Sequence, residues 1–379
     1  MKTNLAATTR NLRTHLLGRC QLVTLAILLA QASAASAATF VKATYNGLFS
    51  EINETNAVVN PLSSGFLTLS VRESGSFSGK LQISDGTSTS GAKYALSGQF
   101  DADGKQTLSI ARKAAAGGPL NVELQYASAG QNNIITGRVL CTNWTAELLA
   151  YQAYSSQPPA AGTYTVRFSS SEPDNGPDGV GAGMLSVSLS GKLSFSAKLP
   201  EGTSFSQSLN LCMQGRWPLY ASLYKGQGSI LGWVEFSGSD SLSGEIGWTK
   251  PAMPTSKYYS QGFTNVLDLQ GLAFIARRSG SRPLNFSKGL VIFSGGGLLA
   301  PFTNTVNLST SGHLNDNTSN DLSFKINPLT GLFSGKAELP GFHGHVPVNG
   351  TIFQSHNEGY GYFLLNGQSG AVLLSGDYR

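Results

Sequence analysis

One four-residue word recurs three times in this chain and constrains it more than any other feature. Phe77-Ser-Gly-Lys80, Phe195-Ser-Ala-Lys198 and Phe333-Ser-Gly-Lys336 stand 118 and 138 residues apart. A similar run precedes each word: Gly65-Phe-Leu-Thr-Leu-Ser-Val71, Gly183-Met-Leu-Ser-Val-Ser-Leu189 and Asp321-Leu-Ser-Phe-Lys-Ile326. Between run and word lies a turn, Glu73-Ser-Gly75, Ser190-Gly191 or Asn327-Pro-Leu-Thr-Gly331. Run, turn and word together predict a β-hairpin. A spacing above 100 residues is too long for a solenoid, whose period is about 20–50 residues, and predicts tandem β units instead.

Further correspondences lie downstream. Leu96-Ser-Gly98 has a counterpart at Val348-Asn-Gly350, and Gly104-Lys105 one at Gly215-Arg216. Thr136-Gly-Arg-Val139, Ser243-Gly-Glu-Ile246 and Ser369-Gly-Ala-Val372 come late in the three units. The runs alternate. Leu185, Val187 and Leu189 take one side of their strand, and Met184, Ser186, Ser188 and Ser190 take the other. Leu193, Phe195, Ala197 and Leu199 likewise oppose Lys192, Ser194, Ser196 and Lys198. A period of two with one Ser/Lys face marks an antiparallel strand that is wet on one side. Glycine punctuates the chain at short intervals, as all-β sandwiches and barrels require. The expected fold is all-β, with tandem antiparallel up-and-down meander units of seven or eight strands curled into small barrels, or else sandwiches.

Composition agrees. The 379 residues exceed what a single core accommodates, about 250–300. Charged residues are only 12 %, about half the usual ~25 %, and Gly numbers 45. That mixture suits short strands and tight turns and disfavours coiled coils and long surface helices.

Residues 1–38 predict a secretory signal peptide. Lys2, Arg10, Arg13 and Arg19 precede the apolar run Leu22-Val-Thr-Leu-Ala-Ile-Leu-Leu-Ala30, and Ala32-Ser-Ala34 and Ala35-Ser-Ala37 offer small-residue cleavage sites. The apolar run is too short to span a bilayer, which takes about 20 residues. Cys20 precedes it, so a lipid anchor is not expected. Without the leader's four basic residues the chain has 22 basic against 21 acidic residues. The basic balance is thus largely an export feature, and no nucleic-acid partner is expected. No later segment is apolar enough for a membrane helix.

Two proline-rich stretches set the expected boundaries. Ser155-Ser-Gln-Pro-Pro-Ala-Ala161 separates a first unit, 39–157, from a second, 158–256. Lys250-Pro-Ala-Met-Pro254 separates the second from a third, 257–379, which carries an additional segment at about 263–312. Gly295-Gly-Gly297 within that segment has no helix after it and predicts a bend or bulge, not a phosphate cradle.

The chain resembles β-repeat regions of exported proteins from environmental Gram-negative bacteria, in which Ser-Gly-x-Phe-Ser-Gly-Lys hairpins recur. Gly75-Ser-Phe-Ser-Gly-Lys-Leu81, Trp217-Pro-Leu-Tyr-Ala-Ser-Leu-Tyr-Lys-Gly226 and Gly331-Leu-Phe-Ser-Gly-Lys336 carry the resemblance. It implies an exported location and a β architecture, and supplies no catalytic residues.

Candidate chemistry is sparse. His313, His343, His345 and His356 all lie in the third unit. His343 and His345 would share one strand face at a spacing zinc can use, with Asp316, Asp321, Glu338 and Glu358 as nearby acids. No further ligand suggests itself, so strand-face or turn histidines are expected and no metal or cofactor is assigned. No nucleophile elbow exists and no catalytic residue is assigned. Gly228–Phe236 and Leu242–Trp248 predict a hairpin whose core face is Val234, Phe236, Leu242, Ile246 and Trp248. Its outer face then gathers Trp233, Glu235 and Glu245, an aromatic beside two acids, as in a sugar site. The plainer reading is a solvated face. Asp101-Ala-Asp103-Gly104 resembles the start of a calcium loop but predicts a turn, and Pro173-Asp-Asn-Gly-Pro-Asp-Gly179 is a longer acidic loop. Cys141 and Cys212 could pair or stand as free thiols.

The expected function is therefore that of an exported, non-catalytic protein. Its role is structural, adhesive or ligand-binding at the cell surface, in the periplasm or outside the cell, and polysaccharide or cell-surface components are the candidate partners. Two alternatives stand beside it: an integral outer-membrane β-barrel, and a carbohydrate-binding or carbohydrate-active secreted protein.

Overall fold

The computed structural model describes residues 38–376, apart from 52–58, 129–132, 172–175, 278–279 and 317–320. The expected leader lies outside the described residues except for Ala38, whose N–H donates to the Ala102 carbonyl at 2.9 Å. The described residues are all-β; their only helices are short 3-10 turns.

Three eight-stranded antiparallel meanders follow one another. The first comprises β1 (Ala43–Ser50), β2 (Gly65–Val71), β3 (Ser76–Ile83), β4 (Ala92–Gln99), β5 (Lys105–Ile110), β6 (Leu120–Ala127), β7 (Ile134–Leu140) and β8 (Thr145–Gln152). The second comprises β9 (Gly162–Ser170), β10 (Gly181–Val187), β11 (Lys192–Lys198), β12 (Ser204–Asn210), β13 (Arg216–Leu223), β14 (Gly228–Ser237), β15 (Ser241–Lys250) and β16 (Phe263–Ala273). The third comprises β17 (Lys288–Gly295), β18 (Phe302–Leu308), β19 (His313–Asp316), β20 (Ser323–Ile326), β21 (Leu332–Glu338), β22 (His345–Phe353), β23 (Glu358–Leu365) and β24 (Gln368–Gly376).

Each meander curls until its first and last strands pair: β1 with β8, β9 with β16, and β17 with β24. Curling removes most of the exposed edge. The inward side chains fill each interior. Tyr45, Leu67, Leu69, Phe77 and Val122 do so in the first barrel. Phe168, Leu185, Phe195, Trp217 and Trp248 do so in the second, and Phe293, Phe324, Phe333, Val348 and Phe363 in the third. Intervening residues such as Lys192, Ser194 and Ser196 face water. On this strand the outward face is polar, unlike the apolar, lipid-facing band of an outer-membrane barrel.

Shared turn chemistry explains the repeated hairpins. Gly75, Gly191 and Gly331 each immediately precede the strand carrying the word, with φ of 82°, 83° and 69°. A left-handed residue in this place lets a short turn join strands of matching twist, and glycine adopts it without steric cost. Arg72 N–H donates to Ser76 O and Gly75 N–H to Arg72 O; Ser188, Gly191 and Lys192 repeat both bonds. Within the word, Phe77 points inward and Gly79 faces Leu69 across the ladder. A Cβ on Gly79 would stand 2.0 Å from the Thr68 carbonyl oxygen. Gly335 meets Ser323 O in the same way, at 2.1 Å. In the second barrel the word has Ala197, and the missing side chain is on the opposite strand, at Gly183. Each pair thus has one small member where the sheet coils tightly.

Three expectations change. The proline stretch after Lys250 is a loop inside the second barrel, not a domain boundary. β16, at Phe263–Ala273, closes that barrel by pairing with β15 and β9, so the third barrel starts only at Lys288. Prolines interrupted the strand pattern, but β9 needs an eighth strand as partner. Secondly, the word occupies the third strand of the first two barrels and the fifth strand of the third. It encodes a hairpin, not a place in the barrel. Thirdly, Leu189 does not continue the inward face of β10: that strand ends at Val187, and Leu189 is exposed in the turn.

The offset has a structural consequence. In the first two barrels no ladder joins the fourth and fifth strands. Leu108 leans over Gly98 across the first of these seams, and the buried Asp85–Arg112 pair, at 3.7 Å, lies beyond it. Tyr94 donates to Asp85 there at 2.7 Å. Gln207 spans the second seam, donating to Pro218 O at 3.0 Å and accepting from Trp217 Nε1 at 2.8 Å. In the third barrel the hairpin β20–β21 occupies this position, and its ladder completes the closure.

The described residues form one compact unit, and side chains join neighbouring barrels. Leu48 of the first barrel packs with Tyr220 and Leu231 of the second. Asn46 Nδ2 donates to Asn210 O at 2.8 Å, and Cys212 bridges to Ala153. Between the second and third barrels, Arg167 lies over the rings of Tyr360, at 4.3 Å, and Phe353, at 5.5 Å. Val180 N–H donates to Gly361 O at 3.0 Å.

Candidate functional site

The outer face of the β14–β15 hairpin is built as the alternation requires. Val234, Leu242, Ile246 and Trp248 are buried in the second barrel and Phe236 packs against them, while Glu235 and Glu245 are exposed. Trp233 stands on that outer face but is not a free platform. It meets the Tyr151 ring edge-on at 5.3 Å and packs with Leu48, Tyr220 and Leu231 at the joint to the first barrel. Arg216 occupies the space beside it, 4.6 Å from the Tyr151 ring centre and 3.3 Å from Glu235 Oε1. One acid of the trio is thus ion-paired and its aromatic is half-buried between barrels. Trp233 thus packs in the joint between the two barrels and does not stand as an open ring face.

A second cluster lies inside the mouth of the second barrel. Tyr224 donates to Glu201 Oε1 at 2.6 Å and accepts from Trp248 Nε1 at 2.9 Å. Lys250 Nζ sits 4.6 Å from the centre of the Tyr224 ring and donates to Ser256 Oγ at 3.1 Å. Glu201 is 5 % exposed and Lys250 4 %, and Glu201 Oε2 has no hydrogen-bond partner. Burial pushes the Glu201 carboxyl up from its ordinary value, against the bonds from Thr203 and Tyr224 and the charge of Lys250. Burial also lowers the Lys250 ammonium and raises the Tyr224 phenol. Sequence reading missed this group because Pro200-Glu201-Gly202 is an ordinary turn and Lys250 looks like the start of a linker. One signal was present: Ile246, Trp248 and Lys250 share an inward face at spacing two, so the lysine had to enter the barrel mouth.

The remaining candidates separate. His343 and His345 do not share a strand face, because β22 begins at His345 and His343 lies in the preceding turn. His345 faces Asp321 at 3.3 Å and Lys336 at 3.0 Å. Among the described residues, no three His, Cys, Asp or Glu side chains form a group that could hold a metal ion. His313 and His356 are exposed. Asp101 Oδ1 is engaged by the backbone N–H groups of Asp103, at 2.9 Å, and Lys105, at 2.7 Å, so this stretch is a self-capped turn. Part of the acidic loop Pro173–Gly179 lies outside the described residues; its Asp178 accepts from Gly296 N–H at 3.1 Å. Gly295, the last residue of β17, and Gly296 and Gly297 in the turn after it all have positive φ. Cys141 and Cys212 are free thiols in different barrels. Cys141 donates to Gly117 O at 3.0 Å, and the buried Cys212 points at Asn46 O at 3.5 Å. Ala161, Gly162, Thr163 and residues 186–189 line a shallow surface depression.

No protein-family model matches the chain, and no curated protein matches it. Among solved structures it is similar to a mutant transferrin binding protein B, a vaccine antigen, from Haemophilus parasuis. That match has 12 % identity over 89 % of this chain and 76 % of the other, with a TM-score of 0.23. The isotype 1 transferrin binding protein B from serogroup B Neisseria meningitidis matches at 12 % identity over 88 % and 76 %, also with a TM-score of 0.23. A protein of unknown function of the DUF3598 family from Nostoc punctiforme matches at 9 % identity over 61 % and 96 %, again at 0.23. Superposition this poor carries no argument about the present chain.

Proposed function

We propose that the chain is exported and works without catalysis, as a structural, adhesive or ligand-binding protein at the cell surface or outside the cell. The filling of all three barrels by apolar side chains carries this reading. A filled barrel offers no lumen for a small molecule, so a partner meets the outer faces, the turns or the joints. The basic, apolar and small-residue stretches of 1–38 support export. The Ser- and Lys-bearing outer faces support a body in water and argue against a lipid-embedded barrel. No described helix is long and apolar enough to cross a membrane.

Fractionation of cells expressing the full chain tests this. Membranes are washed with carbonate, and gel mobility is compared with and without boiling. Recovery outside the inner membrane, released by the wash and without a heat-dependent band, is expected. Retention through the wash with a heat-modifiable band would replace this reading with a membrane barrel, and recovery in the cytoplasm would remove export.

A further inference from the structure

We propose that Glu201 makes the joint between the second and third barrels pH-responsive, tighter in mild acid and looser as the carboxyl ionises. Glu201 sits in the turn between β11 and β12, closed by Leu199 N–H to Thr203 O and Gly202 N–H to Leu199 O, both at 2.8 Å. This turn touches both barrels. On one side Glu201 reaches Tyr224 and, through it, the buried Trp248. On the other side the neighbouring Pro200 carbonyl accepts from Ser369 Oγ of β24 at 2.7 Å, and Ser369 is fully buried. Gly202 lies against Leu364 of β23, with 3.2 Å to the place of its absent Cβ. A change in the position of the Glu201 carboxyl is therefore a change in the segment that holds the third barrel.

The carboxyl has a reason to move when it ionises. Tyr224 donates to its Oε1, Thr203 also bonds the carboxyl, and its Oε2 has no partner. A carboxylate in this place keeps a buried, unsolvated oxygen, whereas the neutral acid does not bury a charge. The groups that face it are few. Tyr224 and Lys250 come from the second barrel, with Tyr259 from the loop between β15 and β16 and Tyr362 from β23 of the third. Asp178 and Tyr258 act one step further out, on Tyr259 and Tyr362. Lys250, the one cation among them, is committed to Ser256 and the Tyr224 ring.

The sign follows. Burial holds the folded carboxyl above its ordinary value of 4.5, so the folded chain binds this proton more tightly than the unfolded chain. The stabilisation is full below about pH 4.5 and is lost as pH rises through the folded midpoint. All other groups are common to the two proteins, so the test is a difference between the wild type and Glu201→Gln.

Thermal unfolding of both proteins between pH 5 and pH 8 supplies it. The wild type is expected to lose midpoint temperature relative to E201Q as pH rises across this range. Hydrogen exchange supplies the location: in the wild type, amides of Leu364 and Ser369 are expected to lose protection toward pH 8, beyond the ordinary base-catalysed rise. Tyr224→Phe, which removes the donor to Oε1 at 2.6 Å, is expected to move the transition to higher pH. Parallel pH profiles in wild type and E201Q would overturn the proposal. If E201Q does not fold, protection at Leu364 and Ser369 that is independent of pH in the wild type would overturn it instead.

Discussion

Arg216 lays its guanidinium on the ring of Tyr151, 4.6 Å from the ring centre, and its Nη1 donates to the Tyr151 hydroxyl. The two residues come from different barrels, β13 and β8, and with Trp233 they form the outer part of the first joint. The pair joins a buried ring to a partly exposed guanidinium, a setting in which such contacts contribute about 1 kcal/mol. Arg216→Ala should make the connector at 154–161 more sensitive to limited proteolysis. Glu235→Gln should not, because Glu235 is 62 % exposed in its pairing with Arg216. Equal cleavage of wild type and R216A would show that apolar contacts alone hold the joint.

The second seam depends on one side chain. Gln207→Ala leaves the indole N–H of the fully buried Trp217 without its acceptor, at a cost of about 1–3 kcal/mol. Gln207→Glu keeps an acceptor for Trp217 and loses the donor to Pro218 O. Urea unfolding should rank wild type above Q207E and Q207E above Q207A. A Q207A protein as stable as the wild type would mean that the seam needs no bridge.

Gly79 has no room for a methyl group, since its Cβ would strike the Thr68 carbonyl at 2.0 Å. Gly79→Ala should cost about 1–3 kcal/mol through forced shifts of the backbone. Ala197→Gly, at the matching word position of the second barrel, should cost less, about 0.5–1 kcal/mol. Chemical denaturation compares the two, and a reversed order would refute the tight-coil explanation of the word.

The two thiols should differ in reactivity. Cys212 is fully buried, and burial raises its thiol far above the ordinary value, which suppresses the thiolate. Cys141 is half-exposed beside Arg112, 3.5 Å from Nη2. A thiol reagent at pH 8 followed by peptide mapping should label Cys141 in the native protein and Cys212 only after denaturation. Early label on Cys212 would mean that the first joint opens readily.

Tyrosine ionisation should be delayed. Burial pushes Tyr259 and Tyr360 up to about 12 and raises Tyr45, Tyr164, Tyr220 and Tyr362 as well. A phenol raised in the folded state contributes stability that is full below its unfolded value of 10.0 and is lost as pH climbs toward the folded value. Ultraviolet titration should show only part of the 13 tyrosines ionising near pH 10, the rest following in one cooperative alkaline unfolding step. A single gradual titration of all of them near pH 10 would contradict the burial.

The hairpins were legible because their causes are local. Phe77, Gly79 and the left-handed Gly75 lie within a few residues of each other, and alternation alone says which of them face inward. Barrel closure was not legible in the same way. β16 pairs with β9 about 100 residues earlier in the chain, with Leu269 opposite Phe168, and Pro251 and Pro254 in the loop before β16 made that loop look like a boundary. For the candidate site, alternation placed Trp233, Glu235 and Glu245 on one face. Only the neighbouring barrel's Tyr151 shows that Trp233 is half of a joint.

Sequence alone determined the all-β class, the period-two faces and the chemistry of the turns, because each follows from residues adjacent in the chain. Tertiary structure decided which strands close each barrel, which seam a side chain must bridge, and that Glu201 and Lys250 are buried at one barrel mouth. Those outcomes depend on shape and desolvation between segments far apart in sequence, where no local pattern records who the neighbour is.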